Sequence, residues 1–222
     1  REVQPLSSRR LRAALVVVAG LWCAIVSAQA QGASGNRAVE GRVRRPGTAA
    51  PAPVPGLMVV LHRVGTDRAG PLDSMRSGRD GRYRFRYVRT GQDDALYFVS
   101  ATYLGIAYFS TPLRDAAVHA GDADLLVYDT TADASALRVQ GRHLVVSAPR
   151  GTKREIAEIF EIENGGTRTV VARDSTRPLW AARLSPRAES LAVAPGDVTA
   201  GAVSFRGGSA DLFAPISPGV RQ

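Results

Sequence analysis

The chain has 222 residues, 29 Lys+Arg against 20 Asp+Glu, a formal net charge of +9, 45% hydrophobic residues, a single cysteine and three histidines. That length suits one large or two small domains, and one cysteine excludes a disulfide framework. The arginines are scattered rather than blocked, unlike a nucleic-acid-binding tract, so no nucleic-acid partner is expected.

Arg9, Arg10 and Arg12 precede an apolar run over residues 13–26, followed by Ala28-Gln29-Ala30. The run falls short of the roughly 20 residues that a membrane-spanning helix needs. With small residues at the −3 and −1 positions, residues 1–30 read as a helical secretory signal peptide whose peptidase site is Ala28 and Ala30. Cys23 follows Trp22, too bulky for lipoprotein processing. Export to the periplasm or cell surface is therefore expected, and removing the leader lowers the net charge from +9 to +6. Residues 31–37 are small and polar, a flexible leader.

From Ala38 onward the pattern is strands and turns. Residues 39–43 alternate, and four prolines within residues 46–55 break the pattern. Residues 57–64 form a buried-strand run, and residues 65–72 read as a loop. Asp80-Gly81 is a turn into a strand over residues 82–88. Strands follow at 96–103 and 106–110, joined by a Leu104-Gly105 turn, and another at 124–129. Residues 131–136 read as a polar linker. A second β series then runs through 137–139, 143–147, 168–172, 179–184, 189–193 and 198–213, the last with Gly207-Gly208 as a hairpin turn. Residues 155–162 place apolar side chains at both helical and period-two spacing. Their three isoleucines and the Asn164-Gly165-Gly166 stop decide for strand. The fold class expected is all-β: two consecutive β-sandwich domains, residues 38–130 and 137–222.

In the first half, Val39-Glu40-Gly41-Arg42-Val43, Gly56-Leu57-Met58-Val59-Val60-Leu61, Arg79-Asp80-Gly81-Arg82-Tyr83-Arg84-Phe85 and Tyr103-Leu104-Gly105 occur in that order. This series resembles the G-x-V, G-x-x-V-x-L, D-G-x-Y/F-x-F and Y-x-G elements of carboxypeptidase regulatory-like domains. Ser77 stands nearest to where these usually carry a threonine. The resemblance covers about residues 37–130 and implies a transthyretin-like Greek-key sandwich of about seven strands. The second half resembles parts of uncharacterised exported bacterial proteins in which such a pair precedes a carboxy-terminal membrane helix. On that resemblance the chain is expected to continue past Gln222, and membrane association would come through that segment.

No catalytic constellation stands out, and no enzyme activity, cofactor or metal is expected. None of the three histidines has the glutamate of a His-x-x-Glu zinc pair: His62 is followed by Arg63-Val64-Gly65, His119 by Ala120-Gly121-Asp122, and His143 by Leu144-Val145-Val146. Asp122, Asp124, Asp129 and Asp133 are split by the apolar run 125–128, which does not fit a compact calcium loop. Asp93 and Asp94 are a loop pair. Ser204 and Ser209 lack a nucleophile elbow.

Surfaces remain. A period of two sends Tyr83, Phe85 and Tyr87 to one face of their strand and Arg82, Arg84 and Arg86 to the other. Arg42 and Arg44 repeat this opposite Val39, Gly41 and Val43. If the two strands pair, the five arginines form a stripe able to hold phosphate or carboxylate groups of an acidic glycan. Tyr97, Tyr103 and Tyr108 are candidate exposed aromatics, because adjacent Tyr97 and Phe98 cannot share a buried face. Trp180 is expected in the second core. The function expected is a non-catalytic structural or interaction module of the bacterial envelope, displaying loops such as 49–55 and 65–77 to an envelope protein. The alternatives are a carbohydrate-binding module, or an accessory domain of a larger membrane-anchored protein, peptidase or outer-membrane receptor.

Overall fold

The computed structural model describes residues 36–91, 94–113 and 121–222. The expected signal peptide with Ala28 and Ala30, most of the expected leader, Asp93 and His119 lie outside the described residues. Contacts divide the chain into a small unit, Arg1–Arg37 with Arg86–Thr90, and a large one, Ala38–Phe85 with Gly91–Gln222. In the small unit Arg86 and Val88 are exposed and Tyr87 is half-buried.

The protein is all-β. Its strands are β1 (Asn36–Arg45), β2 (Ala52–Pro53), β3 (Met58–Val64), β4 (Ala69–Arg76), β5 (Arg82–Val88), β6 (Leu96–Tyr103), β7 (Ile106–Phe109), β8 (Leu125–Leu126), β9 (Thr130–Thr131), β10 (Leu137–Val146), β11 (Ile156–Asn164), β12 (Thr169–Val170), β13 (Trp180–Arg183), β14 (Val203–Arg206), β15 (Ser209–Leu212) and β16 (Gly219–Arg221). No α-helix occurs among the described residues, and no helix there is long and apolar enough to cross a membrane.

Two sheets occupy the first half. In one, β1 lies between β2 and β5 on one edge and the parallel β8 on the other. The second has the order β4-β3-β6-β7 and is antiparallel throughout. Each buries one face at period two. Val39, Gly41 and Val43 of β1 and Tyr83 and Phe85 of β5 are buried in the first sheet; Val59 and Leu61 of β3 and Tyr97, Val99 and Ala101 of β6 are buried in the second. Gly41 is a glycine for lack of space: a Cβ there would stand 2.5 Å from both the Ala123 carbonyl and the Tyr83 hydroxyl. Ser77 is buried and staples its loop, its Oγ donating to the Val54 carbonyl at 2.7 Å and accepting from the Leu57 amide at 3.0 Å.

The expected loop over residues 65–72 is corrected: Ala69–Arg76 is a full strand. Pro71 fits because β4 is an edge strand with a bulge in its register against β3 between Leu61 and His62, where a missing amide donor costs no ladder bond. The expected strand at 189–193 does not form, and Pro186 and Pro195 flank the segment.

The second half has the sheets β10-β11-β16 and β13-β15-β14. Residues 156–162 belong to a strand as expected, Glu155 lying just before it, and Gly207-Gly208, with φ of 52° and 81°, turns the β14–β15 hairpin. The core here is small: Ile162, Val170, Leu179, Leu212 and Ile216, with Phe160 and Trp180 packed against it. Buried Asn164 ends β11. Its Nδ2 donates to the Arg168 and Ile216 carbonyls at 2.8 Å each, and its Oδ1 accepts from the Gly166 amide at 2.9 Å. Thr130–Thr131, at the start of the expected polar linker, pair in parallel with Thr169–Val170.

Candidate functional site

The arginine face is assembled by β1 and β5, whose even-numbered residues turn away from the buried side. It is not a bare cationic stripe. Arg44 Nη2 lies 2.6 Å from Asp124 Oδ2, Arg82 Nε 3.1 Å from Asp80 Oδ2, and Arg84 Nε 3.0 Å from Glu40 Oε1. Asp124 Oδ1 also accepts the backbone amide of Arg42 at 2.8 Å. Three of the five expected arginines thus have carboxylate partners on the same surface, so their charges are locally balanced. Arg86 is exposed and belongs to the small unit.

The expectation of exposed rings at Tyr97 and Tyr108 is corrected. Tyr97 is fully buried on the odd face of β6, and Tyr108 is buried with its hydroxyl donating to the Tyr128 carbonyl at 3.2 Å and paired with Thr169 Oγ1 at 2.9 Å. Tyr103 is half-buried and donates to Asp129 Oδ1 at 2.8 Å, while Arg45 holds Asp129 Oδ2 at 3.2 Å. That carboxylate pushes the Tyr103 phenol above its ordinary pKa. Among the described residues the exposed ring is Phe109, 63% accessible, set edge-on against Phe98 at 5.9 Å. Phe98 in turn stacks on His62 at 5.0 Å. His62 Nε2 bonds Ser100 Oγ at 2.8 Å, and partial burial lowers its pKa by disfavouring the charged ring.

Arg63, on the buried face of β3, is 3% accessible. Its Nη2 contacts both Asp67 carboxylate oxygens, at 2.8 and 3.1 Å, and its Nη1 donates to the Arg68 carbonyl at 3.0 Å. The guanidinium bond holds the Asp67 carboxyl below the usual carboxylate range. This is a charged clamp closing the β3–β4 turn, and its chemistry is structural. Among the described residues, no group of three or more His, Cys, Asp or Glu side chains is placed to hold a metal ion.

The surface that departs from ordinary packing is the β10–β11 hairpin. Its strands pair antiparallel from Leu137↔Asn164 to Val146↔Ile156, and β16 covers β11 only at Ile162, Glu163 and Asn164. Beyond that cover, the hairpin exposes apolar side chains on both faces. Leu144, Val146 and Ile156 lie on one face; Val145 and Ile159 lie on the other, all at 40–57% accessibility. The base is anchored: Phe160 meets Trp180 edge-on at 4.9 Å, and Arg142 sits 5.3 Å over the Phe160 ring while bonding Glu158 at 2.7 Å.

Among the described residues the outer edge of β10, and that of β11 over Ile156–Phe160, pair with no strand. The Ser147 amide donates to the Glu155 carbonyl at 3.0 Å, so the alternation of an antiparallel ladder turns the backbone groups of Ser147, Val145 and His143 toward β11. The amides and carbonyls of Arg142, Leu144 and Val146 then face outward, and among the described residues no strand pairs with that edge. By the same alternation Ile156, Glu158 and Phe160 present theirs on the far side of β11. The sequence carried a signal for this surface: Leu144-Val145-Val146 is apolar without alternation, so a strand there must show an apolar group on each face. No family model, curated protein or solved structure matches this chain.

Proposed function

We propose that this chain is an exported, non-catalytic interaction module of the bacterial envelope, and that the β10–β11 hairpin is the surface through which it acts. In this reading the first half is a carboxypeptidase regulatory-like, transthyretin-like sandwich. The order of its sequence elements and the one-sided burial of its two sheets support that. The rigid sheets then serve as the base from which the hairpin projects.

One observation carries the functional reading. A two-sided apolar strand pair with open edges is a template for strand addition, which natural proteins otherwise blunt with charge, proline or cover. It replaces display by residues 65–77, most of which are tied into β4. A photo-crosslinking residue at position 144 in the exported protein should give adducts in intact cells, while one at exposed Arg187 should give none. Equal yields at the two positions, or none at 144, would overturn the reading. The second reading, a glycan contact, is favoured by Phe109 beside Phe98; Phe109→Ala should then weaken retention on envelope polysaccharide at least tenfold.

A further inference from the structure

We infer that the occupant of the open β10 edge is a second copy of this chain, paired antiparallel about a two-fold axis at Leu144. The inference rests on the proposed role of the hairpin as an interaction surface and names its partner.

The register follows from what each end of the edge still offers. At the base the edge is already engaged: the Leu137 amide donates to the Ala134 carbonyl at 3.0 Å, and the Leu137 carbonyl accepts from Arg138 Nη1 at 2.8 Å. The pairing with β11 then shifts between Val139 and Gly141, which leaves Gln140 bulged. At the tip Pro149 has no amide to give, and the chain turns where the backbones of Arg150 and Lys153 bond each other. The regular stretch between bulge and proline is residues 141–147, centred on Leu144. Its outward amides and carbonyls, on Arg142, Leu144 and Val146, are symmetric about that residue.

A two-fold axis there sets Arg142 across from Val146 of the second copy, Leu144 across from Leu144, and Val146 across from Arg142. Each facing pair exchanges both of its bonds. Sliding the second copy by two residues in either direction gives up one of these pairs, because the replacement partner would be bulged Gln140 or Ala148 beside Pro149. The lane that β16 holds on β11 is untouched, since the new rungs lie on the opposite side of the hairpin.

Side chains favour a second copy over a foreign strand. Residues 141–147 hold no lysine, proline or acidic residue, so the usual devices that block an edge are missing from this stretch. In this register its single arginine, Arg142, faces a valine rather than itself, and it keeps Glu158 of its own hairpin at 2.7 Å. No like charges meet across the new rungs. Leu144, Val146 and Ile156 of the two copies join into one apolar band on one face, and Val145 lies across from His143 of the second copy on the other. Because both copies use the same edge, the contact is isologous and closes at two.

Sedimentation of the purified full chain over a wide concentration range should show a monomer that passes to a dimer and no further. Leu144→Lys and Leu144→Glu each set like charges at the axis and should weaken dimerisation at least tenfold, and an equimolar mixture of the two should restore it. Cysteines read the register in a Cys23→Ser background. The positions of His143→Cys and Val145→Cys face each other only across copies, so oxidation should crosslink a mixture of the two variants and neither variant alone. A wild type that stays monomeric, a mass that grows past two copies, or a mixture of the Leu144 variants no better than either would overturn the inference. Disulfide dimers from one cysteine variant alone, or none from the mixture, would do so too. Photo-crosslinks from position 144 to a different protein without self-association would also overturn it, while leaving the interaction role of the hairpin intact.

Discussion

The β3–β6 ladder and the β10–β11 ladder are both antiparallel and rich in branched apolar residues, yet they have opposite fates. In the first, Val59, Leu61, Tyr97 and Val99 alternate with half-buried neighbours, and a single face is sealed in the core. In the second, Leu144, Val145 and Val146 run without alternation and stay exposed. The difference teaches that strand pairing satisfies the backbone of either ladder, while burial of a side-chain face is what makes one of them a core. A ladder left open along part of both faces and both edges has residual capacity to bind.

The largest effects that sharpen this contrast come from the core. Phe85→Ala removes a fully buried ring and should cost about 3–5 kcal/mol, and Leu61→Ala about 2–5 kcal/mol, in chemical denaturation. Leu144→Ser and Val145→Ser on the hairpin should change stability by only about 0.5 kcal/mol under dilute conditions, as exposed substitutions do. A comparable loss at both places would erase the distinction between the two ladders.

A smaller effect is expected at Tyr83, whose hydroxyl donates to the Ala123 carbonyl inside the core. Tyr83→Phe should cost about 1–3 kcal/mol, because the carbonyl is left without its partner. Burial also raises the phenol pKa, so Tyr83 should stay protonated in alkaline titrations that ionise exposed tyrosines.

The Arg63–Asp67 clamp gives a pH signature. The Asp67 pKa is lowered in the folded protein, so its contribution is complete above the unfolded value of about 3.9 and is lost as pH falls through the depressed folded value. The difference in thermal midpoint between wild type and Asp67→Asn should therefore be constant near neutrality and shrink below about pH 4. A difference that persisted unchanged at low pH would remove the clamp from the account. Least of all, Arg84→Ser breaks an exposed pair with Glu40 and should alter stability by about 0–1 kcal/mol, with a change that vanishes in high salt.

Much of the fold was legible in the sequence because period two survives wherever one face is buried. Val39, Val43, Tyr83 and Phe85 lie where alternation put them. β4 was not legible: Gly70, Pro71 and Asp73 resemble a loop, and only its edge position and bulge reconcile them with a strand. Alternation also could not tell which of Tyr97 and Phe98 turns inward, since that depends on the β3 partner; the structure buries Tyr97 and leaves Phe98 on the His62 side. The arginine stripe was legible as positions and not as a field, because its neutralising partners Glu40, Asp80 and Asp124 come from a neighbouring strand and two turns. The hairpin surface was missed for a related reason. A consecutive apolar run reads as a buried strand, and nothing local says that no layer covers it.

Amide hydrogen exchange resolved along β10 tests the central claim most directly. In dilute solution the amides of His143, Val145 and Ser147 should be protected by β11, while those of Arg142, Leu144 and Val146 exchange freely. Raising the concentration, or adding the partner captured at position 144, should slow the second set selectively. Uniform protection of all six in dilute protein, or no change in the second set on association, would contradict an open hairpin edge as the acting surface of this protein.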